Sequence, residues 1–261
     1  MQARLMLYQF WIAYLTIARR EVLRFTRIWV QTIIPPVMMV ALYFIIFGNL
    51  IGQRIGEMDG MVYIDFIMPG LVMMSIITNS YTNVVSSFYG AKYSRHIEEM
   101  QIAPVPNIII LLGFISGGMA RGLCVGVAVT LVSLLFTEFR MHSPLVVLLI
   151  ALLTSCLFSL AGLINAIFAN SFDDITIIPT FVLTPLTYLG GIFYSIKMLP
   201  EFWQTASLGN PILYMVDSFR YGFRGSSDID LGSALLVILF FIALLFTTCM
   251  VLLSRGTGIR Q

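Results

Sequence analysis

The sequence predicts an all-α polytopic membrane protein. It has six transmembrane helices, an amino-terminal amphipathic interfacial helix and a re-entrant extracytoplasmic helical segment before the last span. Three observations predict this. The 261 residues are 59% hydrophobic and only 11% charged, against roughly 25% charged in a soluble domain. Mean hydropathy is +0.93. Apolar intervals of about 20 residues, enough to cross a bilayer, recur between scattered charges. A soluble enzyme, a disordered scaffold and a disulfide-stapled secreted domain are excluded by the first of these. No soluble domain of about 100 residues fits between the spans.

The amino-terminal segment, 1–27, carries Gln2, Gln9, Ala13, Thr16, Arg20, Arg24 and Arg27 in one helical stripe, continued by Gln31. Leu, Tyr, Phe, Trp and Ile fill the opposite face. The pattern fits a helix lying on the cytoplasmic face, with its arginines toward water and headgroups. Its charge follows the apolar run, the reverse of a signal peptide. A short extra span ending at Ala18 would invert the charge balance described below.

One transmembrane domain, 28–254, follows. Its spans fall at about 28–50, 66–87, 107–137, 143–169, 175–194 and 231–253, and a short tail occupies 255–261. With both termini inside, the inner segments hold Arg4, Arg19, Arg20, Arg24, Arg27, Lys92, Arg95, Arg255 and Arg260. The outer ones hold Arg54, Arg140, Lys197, Arg220 and Arg224. This nine-to-five bias sets cytoplasmic termini. The 195–230 connection is too long for a turn and rich in aromatics, punctuated by Pro200 and Pro211. Such a segment dips back into the outer leaflet as short helices, where protein covers its backbone.

Catalytic and coupling chemistry is missing from the pattern. No Gly-Lys pair exists for a phosphate-cradling loop. His96 and His142 lie in connections, and acids sit at or beyond span ends, unlike an ion-coupled transporter. Cys124, Cys156 and Cys249 each lie in apolar stretches with no metal-ligand spacing. The net charge of +2 is too small to suggest nucleic acid. If the chain transports, something else drives it.

Within the spans, Ser75, Thr78, Asn79, Thr82, Asn83 and Ser86 share one face of the second. Facing lipid, that stripe would be costly. It is either a substrate-facing wall at a dimer seam or a set of interhelical hydrogen bonds, and the sequence leaves both open. Gly118, Gly122 and Gly126 stripe the third span and suit close helix packing. Arg121 is the firmly intramembrane charge, expected to snorkel or to pair with Asp173 or Asp174. Pro35–Pro36, Pro179 and Pro185 are expected to kink the first and fifth spans.

From Leu183 to Arg220 the chain reads LTPLTYLGGIFYSIKMLPEFWQTASLGNPILYMVDSFR. Leu183, Leu186, Leu189 and Gly190 with Ile192, then Leu199–Pro200, then Asn210, Pro211–Ile212, Tyr214 and Arg220, resemble the pattern of ABC transporter type-2 permeases. The likeness in layout extends over nearly the whole chain. It looks closest to the small stand-alone bacterial inner-membrane permeases. The resemblance implies the type-2 ABC exporter permease fold and a homodimeric permease that moves an amphipathic or lipid-like substrate. Two copies of a separate ABC ATP-binding subunit would supply ATP and Mg, with no cofactor on this chain. It implies coupling through the amino-terminal helix and the cytoplasmic connections, here Arg20, Arg24, Arg95, His96, Glu98, Glu99, Asp173 and Asp174. Arg95–Gln101 is read as a docking helix ended by Pro104 and Pro106. An ATP-independent lipid scramblase or channel and a non-transporting membrane assembly protein are the competing readings.

Overall fold

The computed structural model describes every residue except 1, 59, 104, 138–140, 226, 257 and 259–261. Pro104, Arg140 and Arg260, used above, therefore lie outside the described residues, as does most of the 255–261 tail. Helix α1 runs Gln2–Arg27 and breaks at Ile28, where α2, Trp29–Tyr43, begins. Thr32 steadies the break by donating its hydroxyl to the carbonyls of Phe25 and Ile28 (3.3 and 3.1 Å). α2 carries Pro35 and Pro36 inside it and widens into an i→i+5 turn, Phe44–Ile51, followed by α3, Gly52–Ile55. A two-residue hairpin, β1 Glu57–Met58 with β2 Met61–Val62, leads into α4, Tyr63–Tyr93.

α4 is the axis of the molecule. Its 31 residues make about 46 Å at 1.5 Å per residue, and it is buried along most of its length. Short α5, His96–Ile102, follows, and then α6, Asn107–Ser133, and α7, Pro144–Phe168. Both pack on α4. The expected glycine stripe of α6 makes this possible. A Cβ at Gly118 or Gly122 would collide with Ser159, Val84 or Ser80, and one at Gly126 would lie 2.7 Å from Ile76. Bare backbone lets three helices approach. Gly113 and Gly117 form a second open face of α6 that receives Ile17 and Glu21 of α1.

The fifth expected span differs from its prediction. In place of one helix over 175–194 there are three pieces: α8, Asp174–Ile178, a wide turn Pro179–Leu183, and α9, Thr184–Tyr188. Pro179 and Pro185 supply no N–H to the ladder, and the Thr184 N–H and hydroxyl both reach back to the Pro179 carbonyl. The helical stretch ends before Gly190–Gly191, with Gly191 at φ +73°, a left-handed turn that glycine adopts without strain. Among the described residues, five helical segments are long and apolar enough to cross a membrane: Trp29–Gly48, α4, α6, α7 and α12, Leu231–Arg255. The third is shorter than expected, ending at Ser133 rather than 137.

Between α9 and α12 lie a 3-10 turn, Ile196–Met198, and two short helices, α10 Glu201–Leu208 and α11 Pro211–Arg224. This segment packs at the end of the bundle where α4 and α7 begin: Gly70 touches Ile192, and Gly222 touches Val147. At the other end, the basal end, the buried Lys92 donates 2.7 Å hydrogen bonds to the Ile167 and Ala169 carbonyls. It satisfies the orphan acceptors at the end of α7 with a charge the helix dipole favours.

Candidate functional site

The polar residues of the bundle converge where α1 crosses α4 and α6. Along α1, Tyr14, Ile17, Glu21 and Phe25 recur at helical spacing and face inward. Ile17 and Phe25 are buried, and Glu21 is 1% exposed. A buried carboxylate is costly unless paired and hydrogen-bonded, and Glu21 is both. Its Oε2 accepts from the Ser87 hydroxyl of α4 and lies 3.4 Å from Arg24 Nε, and its Oε1 lies 3.5 Å from Arg20. Arg24 then spans the gap, donating at 2.8 Å to both the main-chain and the side-chain oxygen of Asn83. Tyr14 and Ser116 share a further hydrogen bond of 2.9 Å between α1 and α6.

This geometry departs from the sequence stripe. Arg24, expected to face water, turns inward and is only a third exposed, while Arg20 stays about half exposed with its guanidinium 5.8 Å above the Phe114 ring. Apolar residues of α1 are left open instead, Leu7 and Trp11 among them. Glu21 was not singled out by the sequence. The signal that could have found it was its i,i+4 spacing to Ile17 and Phe25.

The polar stripe of α4 divides in two. Ser75, Asn79 and Asn83 are buried, whereas Thr78 is exposed and Thr82 and Ser86 are half-exposed. Two of the buried members bond locally: Ser75 donates to the Leu71 carbonyl and Asn79 to the Ser75 carbonyl, both at 3.0 Å, whereas Asn83 accepts from Arg24. On a helix that is otherwise enclosed, Thr78, Thr82 and Ser86 thus form an open polar strip. Arg121 of α6 is half-buried, its Nε has no hydrogen-bond partner, and the nearby Arg24 repels it. The expected pairing with Asp173 or Asp174 is not among the ion pairs of the described residues: Arg121 lies about 20 Å along α6 from its start at Asn107, whereas the 171–174 turn lies beside the end of α4.

The proposed coupling segments meet at the basal end. Arg95, His96 and Glu99 are exposed and Glu98 half-buried, on a helix anchored by the fully buried Ile97. Arg95 adopts a left-handed φ of 59° just before that helix. Phe172 packs edge-on against Tyr89 at 4.9 Å and lies 5.5 Å from Tyr93, which brings the 171–174 turn beside the end of α4. Asp173 is exposed. Asp174 accepts from the Asn170 and Ser171 amides (2.9 and 3.2 Å), and its own N–H donates to the Ser171 hydroxyl at 3.1 Å, a reciprocal cap. These amides hold its carboxyl below the usual carboxylate range.

The residues of the 183–220 pattern form a staple between α9 and α11. Asn210 caps α11 through Ile212 N–H (3.0 Å) and donates to the Leu186 carbonyl (2.6 Å). Pro211 opens the helix where no N–H is needed. A Cβ at Gly190 would lie 2.7 Å from Ile212. Tyr214 donates to the Leu208 carbonyl at 2.8 Å. Arg220 donates to the Gly191 carbonyl at 2.7 Å and lies 3.9 Å above the Phe66 ring. Leu183 is buried, Leu189 lies in the turn that ends α9, and Pro200 precedes α10. Among the described residues no group of three or more His, Cys, Asp or Glu is placed to hold a metal.

Comparison with known proteins gives the family. Residues 12–223 match the family described as ABC-2 type transporter. The chain is 55% identical over 256 residues to the inner membrane transport permease YadH of Escherichia coli K12, covering 98% of this chain and 100% of that one. It is 24% identical over 223 residues to nodulation protein J of Rhizobium meliloti, covering 85% and 84%. Nodulation protein J of Rhizobium leguminosarum bv. viciae is 21% identical over 243 residues, covering 93% and 94%. The chain therefore belongs to the ABC-2 type transporter family, as a multi-pass inner-membrane permease, the membrane subunit of an ABC transporter, a family membership that implies an ABC ATPase partner.

Proposed function

We propose that this permease acts as a homodimer in an exporter for an amphipathic or lipid-like substrate, with the open strip of Thr78, Thr82 and Ser86 on the substrate path. The strip carries the reading. α4 is enclosed by α6, α7 and α11, yet its open side is hydroxylated, which a lipid-facing surface would not favour. The apolar faces of α2 and α12, with Met38, Met39, Leu236 and Phe240 exposed, suit lipid. The 195–230 segment re-enters the outer leaflet and lies over the path, stapled by Asn210 and Arg220. Both termini are cytoplasmic, which puts α5 and the 171–174 turn on the motor side.

Two ATP-binding subunits, carrying ATP and Mg, dock on that side. Arg95, His96, Glu99 and Asp173 offer exposed charge, with the half-buried Glu98 beside them, Asp174 shapes the turn, and Arg20 and Arg24 link α1 to it. ATP binding moves α1, and the Glu21–Ser87 and Arg24–Asn83 contacts pass that movement to α4. The test is co-expression with ABC ATPase subunits from the same cell. Co-purification and stimulated hydrolysis are expected, with Glu98→Lys/Glu99→Lys removing both. Intact co-purification by that variant overturns the docking. A chain that holds no ATPase and still moves lipid between leaflets would instead support the scramblase reading.

A further inference from the structure

The cleft between α1 and the basal half of α4 holds about 580 Å³. Three arginines wall it: Arg20, Arg24 and Arg27. Its floor is small and polar, with Ser86, Ser87 and Gly90. Glu21 is the acid among its lining residues, and it is already engaged by Ser87, Arg24 and Arg20. Arg24 Nε is buried without a hydrogen bond, although it stands 3.4 Å from Glu21. The cleft therefore holds more positive charge than its own carboxylate can neutralise. The rim is apolar, with Leu23 and Ile28 lining it and both exposed. Above it, the polar strip runs through Ser86, Thr82 and Thr78, and α6 carries Arg121 with a buried, unpartnered Nε.

Three guanidinium groups share one carboxylate that is already engaged, and the Arg24 Nε is buried with no hydrogen bond, so donors remain for a further anion. Their forked donors match the several oxygens of a phosphate. An apolar rim beside a cationic floor suits a molecule with both an acidic head and a hydrocarbon tail. We infer that this cleft binds the phosphate headgroup of an anionic lipid-like amphiphile from the cytoplasmic leaflet, and that the Ser86–Thr82–Thr78 strip leads that headgroup toward Arg121. The inference rests on the permease reading and gives its substrate an anionic head.

The test uses the full chain in phosphatidylcholine nanodiscs, with Trp11→Phe and Trp203→Phe so that Trp29 reports. Trp29 is exposed and follows the cleft-lining Ile28. Brominated phosphatidylglycerol should quench it saturably, and brominated phosphatidylcholine only in proportion to its share of the bilayer. Arg27→Gln lies outside the Glu21–Ser87 clasp and should weaken the phosphatidylglycerol response several-fold. Arg24→Gln/Arg27→Gln should weaken it about tenfold or more, with unchanged thermal unfolding of Arg27→Gln as the folding control. Arg54→Gln, at the opposite end, removes the same charge and should leave the response unaltered. Equal quenching by both lipids, no change in Arg27→Gln, or an equal loss in Arg54→Gln would overturn the inference. Displacement by equimolar inorganic phosphate would show a site for free phosphate and would overturn the lipid assignment. Binding is read on the chain alone, so a failure here is distinct from a failure to recruit an ATPase.

Discussion

Arg24 of α1 closes on Asn83 of α4, one guanidinium nitrogen lying 2.8 Å from both its carbonyl and its amide oxygen. Through that contact a surface helix grips the most buried helix of the bundle. Glu21 stands behind it with its carboxylate shared between Ser87 and the same arginine. Removing the carboxylate would leave Arg24 partly buried beside Arg121 with no countercharge. Glu21→Ala is expected to cost about 2–4 kcal/mol. Glu21→Gln keeps one acceptor and should cost less. Thermal unfolding in detergent checks the order, and a double cycle with Ser87→Ala should show coupling of about 1 kcal/mol.

The α9–α11 staple rests on Asn210. Its side chain caps α11 and satisfies the Leu186 carbonyl at once. Asn210→Ala loses both and should destabilise the protein by about 1–2 kcal/mol. Asn210→Asp keeps the cap but sets a buried carboxylate oxygen against the Leu186 carbonyl, so its loss should be at least as large. Limited proteolysis of the 195–210 segment should follow the same order.

Close packing of α6 on α4 depends on Gly122, whose absent Cβ leaves room for the Ser80 side chain. Gly122→Ala should destabilise by about 1–3 kcal/mol through overpacking. Ser80→Gly in the same chain should recover part of that loss. Unfolding temperature in detergent measures both, and the absence of any recovery would argue against a local clash.

The turn before α8 should weaken in acid. Amides of Asn170 and Ser171 hold the Asp174 carboxyl below its ordinary value. A lowered folded pKa means the contribution is fully present above the unfolded value, about 3.9, and is lost as pH falls through the folded value. Hydrogen exchange at Asn170 and Ser171, corrected for intrinsic rates, should speed up only in that acid range. Asp174→Asn should show fast exchange already at neutral pH.

Hydropathy made most of the fold legible, because the cost of bare charge in lipid leaves wide, uncharged intervals. α2, α4, α6, α7 and α12 fall where those intervals do. At 175–194 the helical run covers only 174–188, because Pro179, expected to kink it, opens a widened turn and the run ends before Gly191. The residue pattern from Leu183 to Arg220 pointed to the family, yet its staple geometry, with Asn210 on Leu186 and Arg220 over Phe66, needed the fold. On α1 the exposed Gln9, Thr16, Arg20 and Arg27 follow the expected stripe, and Arg24 departs from it for a physical reason. A wheel sorts residues by polarity alone, and Glu21 and Arg24 are polar groups satisfied by other buried polar groups. Half of the α4 stripe was indistinguishable in sequence from the other half, since only neighbouring helices decide that Asn83 is covered and Thr78 is not.

The central claim is that the open strip of α4 borders a hydrophilic path. The most direct measurement replaces Cys124, Cys156 and Cys249 with Ala and introduces single cysteines at Thr78, Thr82 and, as a lipid-facing reference, Phe240 of α12. Each is exposed in bilayer to a charged, water-soluble thiol reagent. Labelling of Thr78→Cys and Thr82→Cys at least about tenfold faster than Phe240→Cys is predicted, since thiolate chemistry needs water. Equal, negligible labelling at all three positions would contradict it.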